Sequence, residues 1–224
     1  MKILMILEYF KPHLGGVETL FDHLAQELSK AGHQVTILTS NHTGKLPSIE
    51  EMDRITIHRI NVISRYLFTW KAFFPAYRLS KEVDIVHTTS YNAGLPALLA
   101  ALINRKKSII TFHEVWGKLW FRLPFSNKIS ALFHSLFEKI LLILPFNLFV
   151  AVSNATKKRI LENGVSENRI KVIYNGLTYK NTKVPESKNK VYTYFGRLGM
   201  SKGLDLLLPA SIPFLKENPD YKLR

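Results

Sequence analysis

The sequence predicts an α/β protein built on a doubly wound parallel sheet. Short apolar runs rich in β-branched residues alternate along the chain with longer segments whose apolar residues fall at helical spacing. The 224 residues are 46% hydrophobic and 21% charged, a globular composition with room for one large domain, or for a domain and a fragment. Strands that alternate with helices form a parallel sheet, because each crossover returns the chain to the same edge.

The first 39 residues show this pattern most clearly. Lys2–Leu7 predicts a buried strand, the apolar residues of 17–31 share one face of a helix, and 34–39 predict a second strand. Gly15 and Gly16 lie between the first strand and the helix. Two glycines let a ligand come close to the backbone, and the free N–H groups of a helix start favour an anion such as phosphate. A tight turn without a ligand explains the glycine pair equally well.

The rest of the chain continues the alternation. Six more strands are predicted, at Ile55–Ile60, Val83–His87, Ser108–Phe112, Leu148–Val152, Ile170–Ile173 and Val191–Gly196. Helices are predicted at Gly94–Ile103, Ala155–Asn163 and Leu204–Leu215. Ser40–Asp53 is predicted to be a polar loop, and Pro209 and Pro213 leave the length and straightness of the last helix open.

The charge balance indicates an anionic partner. There are 31 Lys and Arg against 17 Asp and Glu, so the net charge is +14. Nucleic acid, an anionic membrane surface or phosphorylated substrates would each fit. No zinc-finger, RNA-recognition or basic-zipper pattern is present, which disfavours nucleic acid. The absence of cysteine excludes disulfides and thiolate metal sites, and no histidine–aspartate cluster has ligand spacing, so we expect no metal.

Two aromatic and basic segments, 61–80 and 116–146, suggest contact with lipid. Rings beside Lys and Arg are typical of interfacial helices, although a helix packed in the core with solvated charges is an equal alternative for 61–80. The chain begins directly in a strand, without a signal peptide, and no apolar stretch is long enough to cross a bilayer. We therefore expect a cytoplasmic protein, with peripheral attachment to the inner face of the membrane as a further expectation.

Two histidines are predicted where ligands bind in such sheets, beyond the carboxyl ends of the strands. His87 and His113 each close a predicted strand. A single histidine is more often a structural residue than a catalytic one. The position alone therefore leaves both roles open.

Several segments together resemble one enzyme family. They are Tyr9–Pro12, Gly15–Glu18, Ala31–Val35, Asp84–His87, Thr111–Glu114, Val152-Ser153, Lys171–Gly176 and the Gly-Arg-Leu…Lys-Gly spacing of 196–203. These segments resemble the retaining GT-B glycosyltransferases of glycosyltransferase family 4. The resemblance implies a Rossmann-like N-terminal domain at 1–177, an interdomain linker at 178–190 and the truncated start of a second Rossmann-like, donor-binding domain at 191–224.

The resemblance also implies roles for individual residues. His113 would lie at the sugar-transfer site, and Glu114 stands where the family more often has aspartate. The donor's phosphates would be bound by Gly15, Gly16, Arg197 and Lys202. A place in the acceptor side of the cleft is implied for Glu18, His87, Glu114 and Asn175.

The function implied by the resemblance is glycosyl transfer, of the EC 2.4 class. A sugar would move from a nucleotide diphosphate sugar, with no other cofactor, to a hydroxyl of a lipid-linked or cell-envelope glycan. The 224 residues are expected to be inactive alone. The alternative is a non-catalytic module that binds glycolipid or polyprenyl phosphate, or one subunit of a split enzyme. A nicotinamide-dependent oxidoreductase is disfavoured because no true G-x-G-x-x-G precedes an acidic residue. The sequence specifies neither the sugar, the nucleotide, the acceptor nor the oligomeric state.

Overall fold

The computed structural model describes residues 1–52, 54–122, 127–176, 190–196 and 202–224. The main sheet follows the predicted alternation. Its strands are β1 (Lys2–Ile6), β2 (Gln34–Ser40), β3 (Ile49–Met52), β4 (Ile55–Ile60), β5 (Ile85–Thr89), β6 (Lys107–Phe112), β7 (Leu148–Ala151) and β8 (Ile170–Val172). Their spatial order is β3-β4-β2-β1-β5-β6-β7-β8. Only the β3–β4 pairing is antiparallel, so the predicted doubly wound, mostly parallel α/β sheet is confirmed.

Helices cover both faces of this sheet. They are α1 (Gly16–Lys30), α2 (Phe68–Lys71), α3 (Phe73–Ser80), α4 (Gly94–Ile103), α5 (Lys128–Ile143) and α6 (Asn154–Glu162), with 3₁₀ turns at Arg65–Leu67, Gly117–Arg122 and Glu167–Arg169. Ser153 caps the start of α6, because its hydroxyl accepts the Thr156 N–H at 3.0 Å. Among the helices of the described ranges, none is long and apolar enough to cross a bilayer.

The core occupies both faces because successive side chains of each strand point to opposite sides. On one face Ile3, Met5 and Leu7 pack with Phe21 and Ala25 of α1. On the other face Leu4, Ile6 and Val86 form a cluster with α2, α3 and α4, and a third cluster joins β6 and β7 to α5 and α6. Burial on both faces explains why β1 and β7 read as almost continuous apolar runs.

The chain reverses direction across the sheet between β1 and β5. It runs outward from β1 through β2 to β4 and then returns to β5, on the other side of β1. In doubly wound sheets such a reversal opens a crevice at the carboxyl ends of the strands. Glu8 follows β1 at this edge, Ser90–Asn92 follow β5, and His113 follows β6.

Two predictions about this sheet are wrong. The predicted loop 40–53 contains β3, whose sequence Ile-Glu-Glu-Met lacks the apolar content of a buried strand because β3 is an exposed edge. His87 does not follow its strand: it is the third residue of β5, which continues to the β-branched Thr88 and Thr89. The aromatic segment 61–80 forms a 3₁₀ turn and two short helices rather than one helix.

The last part of the chain contains a second small sheet. Its strands β9 (Val191–Tyr192) and β10 (Lys222–Leu223) pair in parallel, and α7 (Leu204–Glu217) connects them. The helix continues through Pro209 and Pro213, and the strand predicted over 191–196 has two residues. The predicted linker lies outside the described residues except for Lys190, and Arg197 also lies outside them.

Candidate active site

The loop between β1 and α1 leaves open space at the first residue of the helix. Gly15 precedes α1 in an extended conformation and provides no side-chain cap. A Cβ atom on Gly15 would lie 2.1 Å from Oε2 of Glu18, whereas a Cβ on Gly16 would meet nothing within 4 Å. The Glu18 carboxylate therefore occupies the space over Gly15. Over Gly16 there is room for a ligand beside the positive end of the helix dipole.

A cluster of aromatic and ionisable side chains adjoins this loop. Nδ1 of His13 lies 3.0 Å from Oε1 of Glu18, and the His13 ring stacks on Tyr9 at a centroid distance of 4.5 Å. The His42 ring, from the loop after β2, lies 5.3 Å from His13. Burial, together with positive charge at His13 and Arg59, lowers the pKa of His42, so its ring is neutral at pH 7. The cluster thus places ring faces and one carboxylate beside the start of α1.

His87 and His113 meet α1 through one phenylalanine. The Phe21 ring lies 5.1 Å from the His87 ring and 6.5 Å from the His113 ring. Nε2 of His87 lies 2.9 Å from the Thr111 hydroxyl, and burial, with a smaller contribution from the neighbouring His113, lowers the pKa of His87 to about 4. His87 is therefore a neutral interior residue next to His113.

His113 has an unsatisfied ring nitrogen. Its Nε2 is buried and has no hydrogen-bond partner among the described residues. Burial lowers the pKa of His113, while the Glu18 carboxylate acts in the opposite direction. Buried polar atoms without partners are rare in proteins and often mark places where a ligand supplies the missing bond. A neutral imidazole at this edge can hydrogen-bond a sugar hydroxyl.

Glu8 is a buried carboxylate that the sequence interpretation overlooked. It is 8% exposed, its Oε1 lies 2.9 Å from Nε of Arg65, and its Oε2 accepts a hydrogen bond from Asn92 Nδ2 at 2.7 Å. Burial raises the pKa of Glu8, and the Arg65 charge and the Asn92 hydrogen bond oppose this shift. The sequence carried one signal: Glu8 directly follows the apolar run of β1, at the edge where ligands bind.

The other predicted site residues within the described ranges are exposed. Glu114 and Asn175 are exposed, in the loops after β6 and β8. Lys202 is exposed and precedes α7. The structure therefore brings together Gly15, Gly16, Glu18, His87 and His113. Within the described ranges, no three histidine or acidic side chains are grouped as metal ligands.

Comparison with known proteins identifies relatives over most of the chain. The profile of Glycosyltransferase Family 4 matches residues 14–179. The uncharacterized glycosyltransferase MJ1069 of Methanocaldococcus jannaschii is 28% identical over 243 aligned positions, which cover 96% of this chain and 60% of that protein. The phosphatidylinositol N-acetylglucosaminyltransferase GPI3 subunit of Saccharomyces cerevisiae is 28% identical over 225 positions, covering 92% of this chain and 48% of that subunit.

Solved structures share the fold. Sucrose-phosphate synthase of Thermosynechococcus elongatus superposes with a TM-score of 0.78 and 18% identity, over 99% of this chain and 61% of that one. Anabaena Alr3699/HepE, crystallised with UDP and glucose, superposes with a TM-score of 0.70 and 18% identity, over 100% of this chain and 60% of that one. The chain spans 60% of the length of the M. jannaschii relative and 48% of the length of the yeast subunit.

Proposed function

The chain belongs to glycosyltransferase family 4, and we propose that it takes part in transferring a sugar from a nucleotide diphosphate sugar to an acceptor hydroxyl. One observation carries the proposal: α1 begins with open space over Gly16, and through Phe21 the same helix contacts the ring of His113, whose Nε2 has no partner among the described residues. The helix start suits a phosphate, and the imidazole suits a sugar hydroxyl. A phosphate and a sugar hydroxyl are both present in a nucleotide diphosphate sugar.

The reaction we propose retains the configuration of the sugar. The bond between the anomeric carbon and the donor's phosphate oxygen breaks, and a bond from that carbon to the acceptor oxygen forms on the same face. The acceptor's proton passes to the departing phosphate. The backbone N–H of Gly16 would hold the phosphate and His113 would orient the sugar. Arg197 and Lys202 would stabilise the charge on the leaving group, since fixed cations act most strongly where charge develops.

The comparisons support the nature of the two substrates. Anabaena Alr3699/HepE was crystallised with UDP and glucose, which favours a nucleotide sugar as donor. The yeast relative is named for transfer to phosphatidylinositol, which favours a lipid-linked acceptor. We therefore propose that residues 1–177 serve the acceptor side, that 191–224 begin the donor-binding domain, and that the protein acts at a membrane surface from the cytoplasmic side.

A two-chain enzyme is the second candidate. The yeast relative is named as a subunit, and the present chain matches 48% of it. In this case residues 1–224 would bind acceptor, and a separate chain would supply the rest of the donor site. Mixing experiments distinguish the two candidates, since only the two-chain enzyme would gain activity from a second polypeptide.

The test is a transfer assay on the protein as cells make it, including any sequence beyond residue 224. Nucleotide diphosphate sugars are supplied with a lipid extract, and NMR of the product assigns the anomeric configuration. His113→Ala should lower the turnover rate about 100-fold, the order of effect expected when a contact that positions the substrate is lost. His33→Ala, near the amino end of β2 where His33 contacts the N-terminus at 3.2 Å, is the matched control and should retain activity. Full turnover by the His113 variant, or an inverted product, would contradict the proposal.

A further inference from the structure

Helix α5 is apolar on two sides, and the residues that the structure describes cover only one of them. Its inner face packs on the sheet through residues such as Ala131, Leu141 and Leu142. The outer face forms what we call the α5 stripe, whose members are 38–72% exposed: Ile129, Leu132, Phe133, Leu136, Ile140 and Ile143. A helix that is apolar all round is normally buried on every side. The α5 stripe therefore indicates a partner.

A tryptophan-rich turn enlarges the exposed surface. The buried carboxylate of Glu138, on α5, accepts the backbone N–H groups of Trp116 at 2.9 Å and Gly117 at 2.7 Å. These two bonds fix the turn 117–122 against the helix. The turn exposes 52% of Phe121. The turn thus adds one exposed ring, Phe121, to the apolar surface near α5.

A second group of rings joins the surface to the candidate active site. The His134 ring of α5 stacks on Trp120 at 4.8 Å and lies 6.4 Å from Tyr66. Arg65, next to Tyr66, forms the ion pair with Glu8 at the end of β1. Helix α5 is therefore connected, through His134, Tyr66 and Arg65, to the sheet edge where ligands bind.

The charges around the stripe decide between partners. On α5 itself Lys128 and Lys139 are exposed, whereas its single acid, Glu138, is buried. A second copy of the chain would bring like charges together around the stripe, which is unfavourable. An anionic bilayer attracts the lysines and accepts the apolar side chains and rings.

We propose that the α5 stripe, with the 117–122 turn and Lys128 and Lys139, is the surface through which the chain binds an anionic phospholipid bilayer. This proposal rests on the proposed function, because it supplies the route for a lipid-linked acceptor. Bound in this way, the protein holds the crevice between β1 and β5 near the membrane surface. The acceptor then reaches the crevice without leaving the lipid phase.

Flotation of the chain with vesicles tests the proposal. Vesicles of phosphatidylcholine containing phosphatidylglycerol are compared with phosphatidylcholine alone, and binding should require the anionic lipid. Substituting Leu132→Gln, Phe133→Gln and Leu136→Gln together should lower the partition coefficient at least 10-fold, and Lys128→Gln about 5-fold. The matched control substitutes exposed apolar residues of α4, Leu99→Gln, Leu102→Gln and Ile103→Gln, and should change it less than 2-fold.

The outcomes separate this proposal from its alternatives. Equal binding to both kinds of vesicle, failure of the wild-type chain to bind either, or equal losses in both triple variants would overturn it. So would a concentration-dependent dimer in sedimentation that the stripe substitutions abolish. Circular dichroism shows whether each variant is folded. Sugar transfer to a water-soluble acceptor should be unaffected by the stripe substitutions, so failed transfer there concerns the proposed function alone.

Discussion

Replacing Gly16 with alanine should leave the fold intact and weaken donor binding. A Cβ at this position meets nothing within 4 Å, so the substitution introduces no clash within the described residues. Alanine is more favourable than glycine inside a helix by about 1 kcal/mol, which for a chain of this size raises the melting temperature by about 2–4 °C. Gly16→Ala should therefore be slightly more stable than the wild type.

The effect on donor binding should have the opposite sign. The new methyl group would occupy the space that we assign to the donor phosphate, and it would separate the phosphate from the backbone N–H. Loss of a hydrogen bond to a charged group costs about 1.5–3 kcal/mol, or about 10- to 150-fold in affinity. Isothermal titration calorimetry with a nucleotide diphosphate sugar, on the protein as cells make it, measures this change. Scanning calorimetry measures the stability.

Two matched variants make the result interpretable. Gly15→Ala places its Cβ 2.1 Å from Oε2 of Glu18, so that carboxylate must move and the His13–Glu18 contact is lost. This variant should be less stable than Gly16→Ala. Lys30→Ala, exposed at the other end of α1, should leave donor affinity unchanged within 2-fold. Wild-type donor affinity in Gly16→Ala, or a loss of stability in that variant, would refute the reasoning.

Three further outcomes concern stability. The pKa of His87 lies near 4 instead of 6.5, so the folded protein binds fewer protons than the unfolded chain between these pH values. The free energy of unfolding of the wild type should therefore fall by up to about 3 kcal/mol as the pH decreases through this window, and His87→Gln should remove that fall. Urea titrations measure it, and an unchanged pH dependence in the variant would disprove the prediction. The raised pKa of Glu8 acts in the opposite direction: stability from this group increases as the pH falls toward 4.5, and Glu8→Gln should remove that increase in the same titrations. Ser153→Ala removes the acceptor of the Thr156 N–H and should cost about 1 kcal/mol, read from the urea midpoint; no shift would mean that the cap contributes nothing.

The strands and the glycine loop were predictable because their signals are local. A parallel strand buried on both faces is rich in apolar and β-branched residues, and β1 is a nearly continuous apolar run. The placement of His113 followed from its strand, since the residue after a parallel strand lies at the carboxyl edge. His87 was misplaced by the same rule, because Thr88 and Thr89 extend β5 beyond the apolar run.

The remaining features depend on partners that are distant in sequence. Glu8 is held by Arg65 and Asn92, which are 57 and 84 residues away, and no local sequence pattern predicts contacts over such distances. The sequence also did not show which face of α5 packs on the sheet and which is exposed. Its sequence places apolar residues on two faces, and the packing of buried Glu138 against Trp116 shows which face is inside.

Strand β3 has a consequence for how the protein behaves in concentrated solution. The outer strand of a sheet presents a row of unpaired N–H and C=O groups, which another molecule can extend into a fibril or aggregate. Here that position is taken by only four residues, Ile49–Met52, and two of them are glutamates. The two carboxylates make pairing with a strand of another molecule unfavourable. The antiparallel pairing of β3 also covers the edge of the six-residue β4. These four residues therefore make pairing at this edge of the sheet unfavourable, and Met52 also packs against the core cluster that contains Ile55 and Ile57.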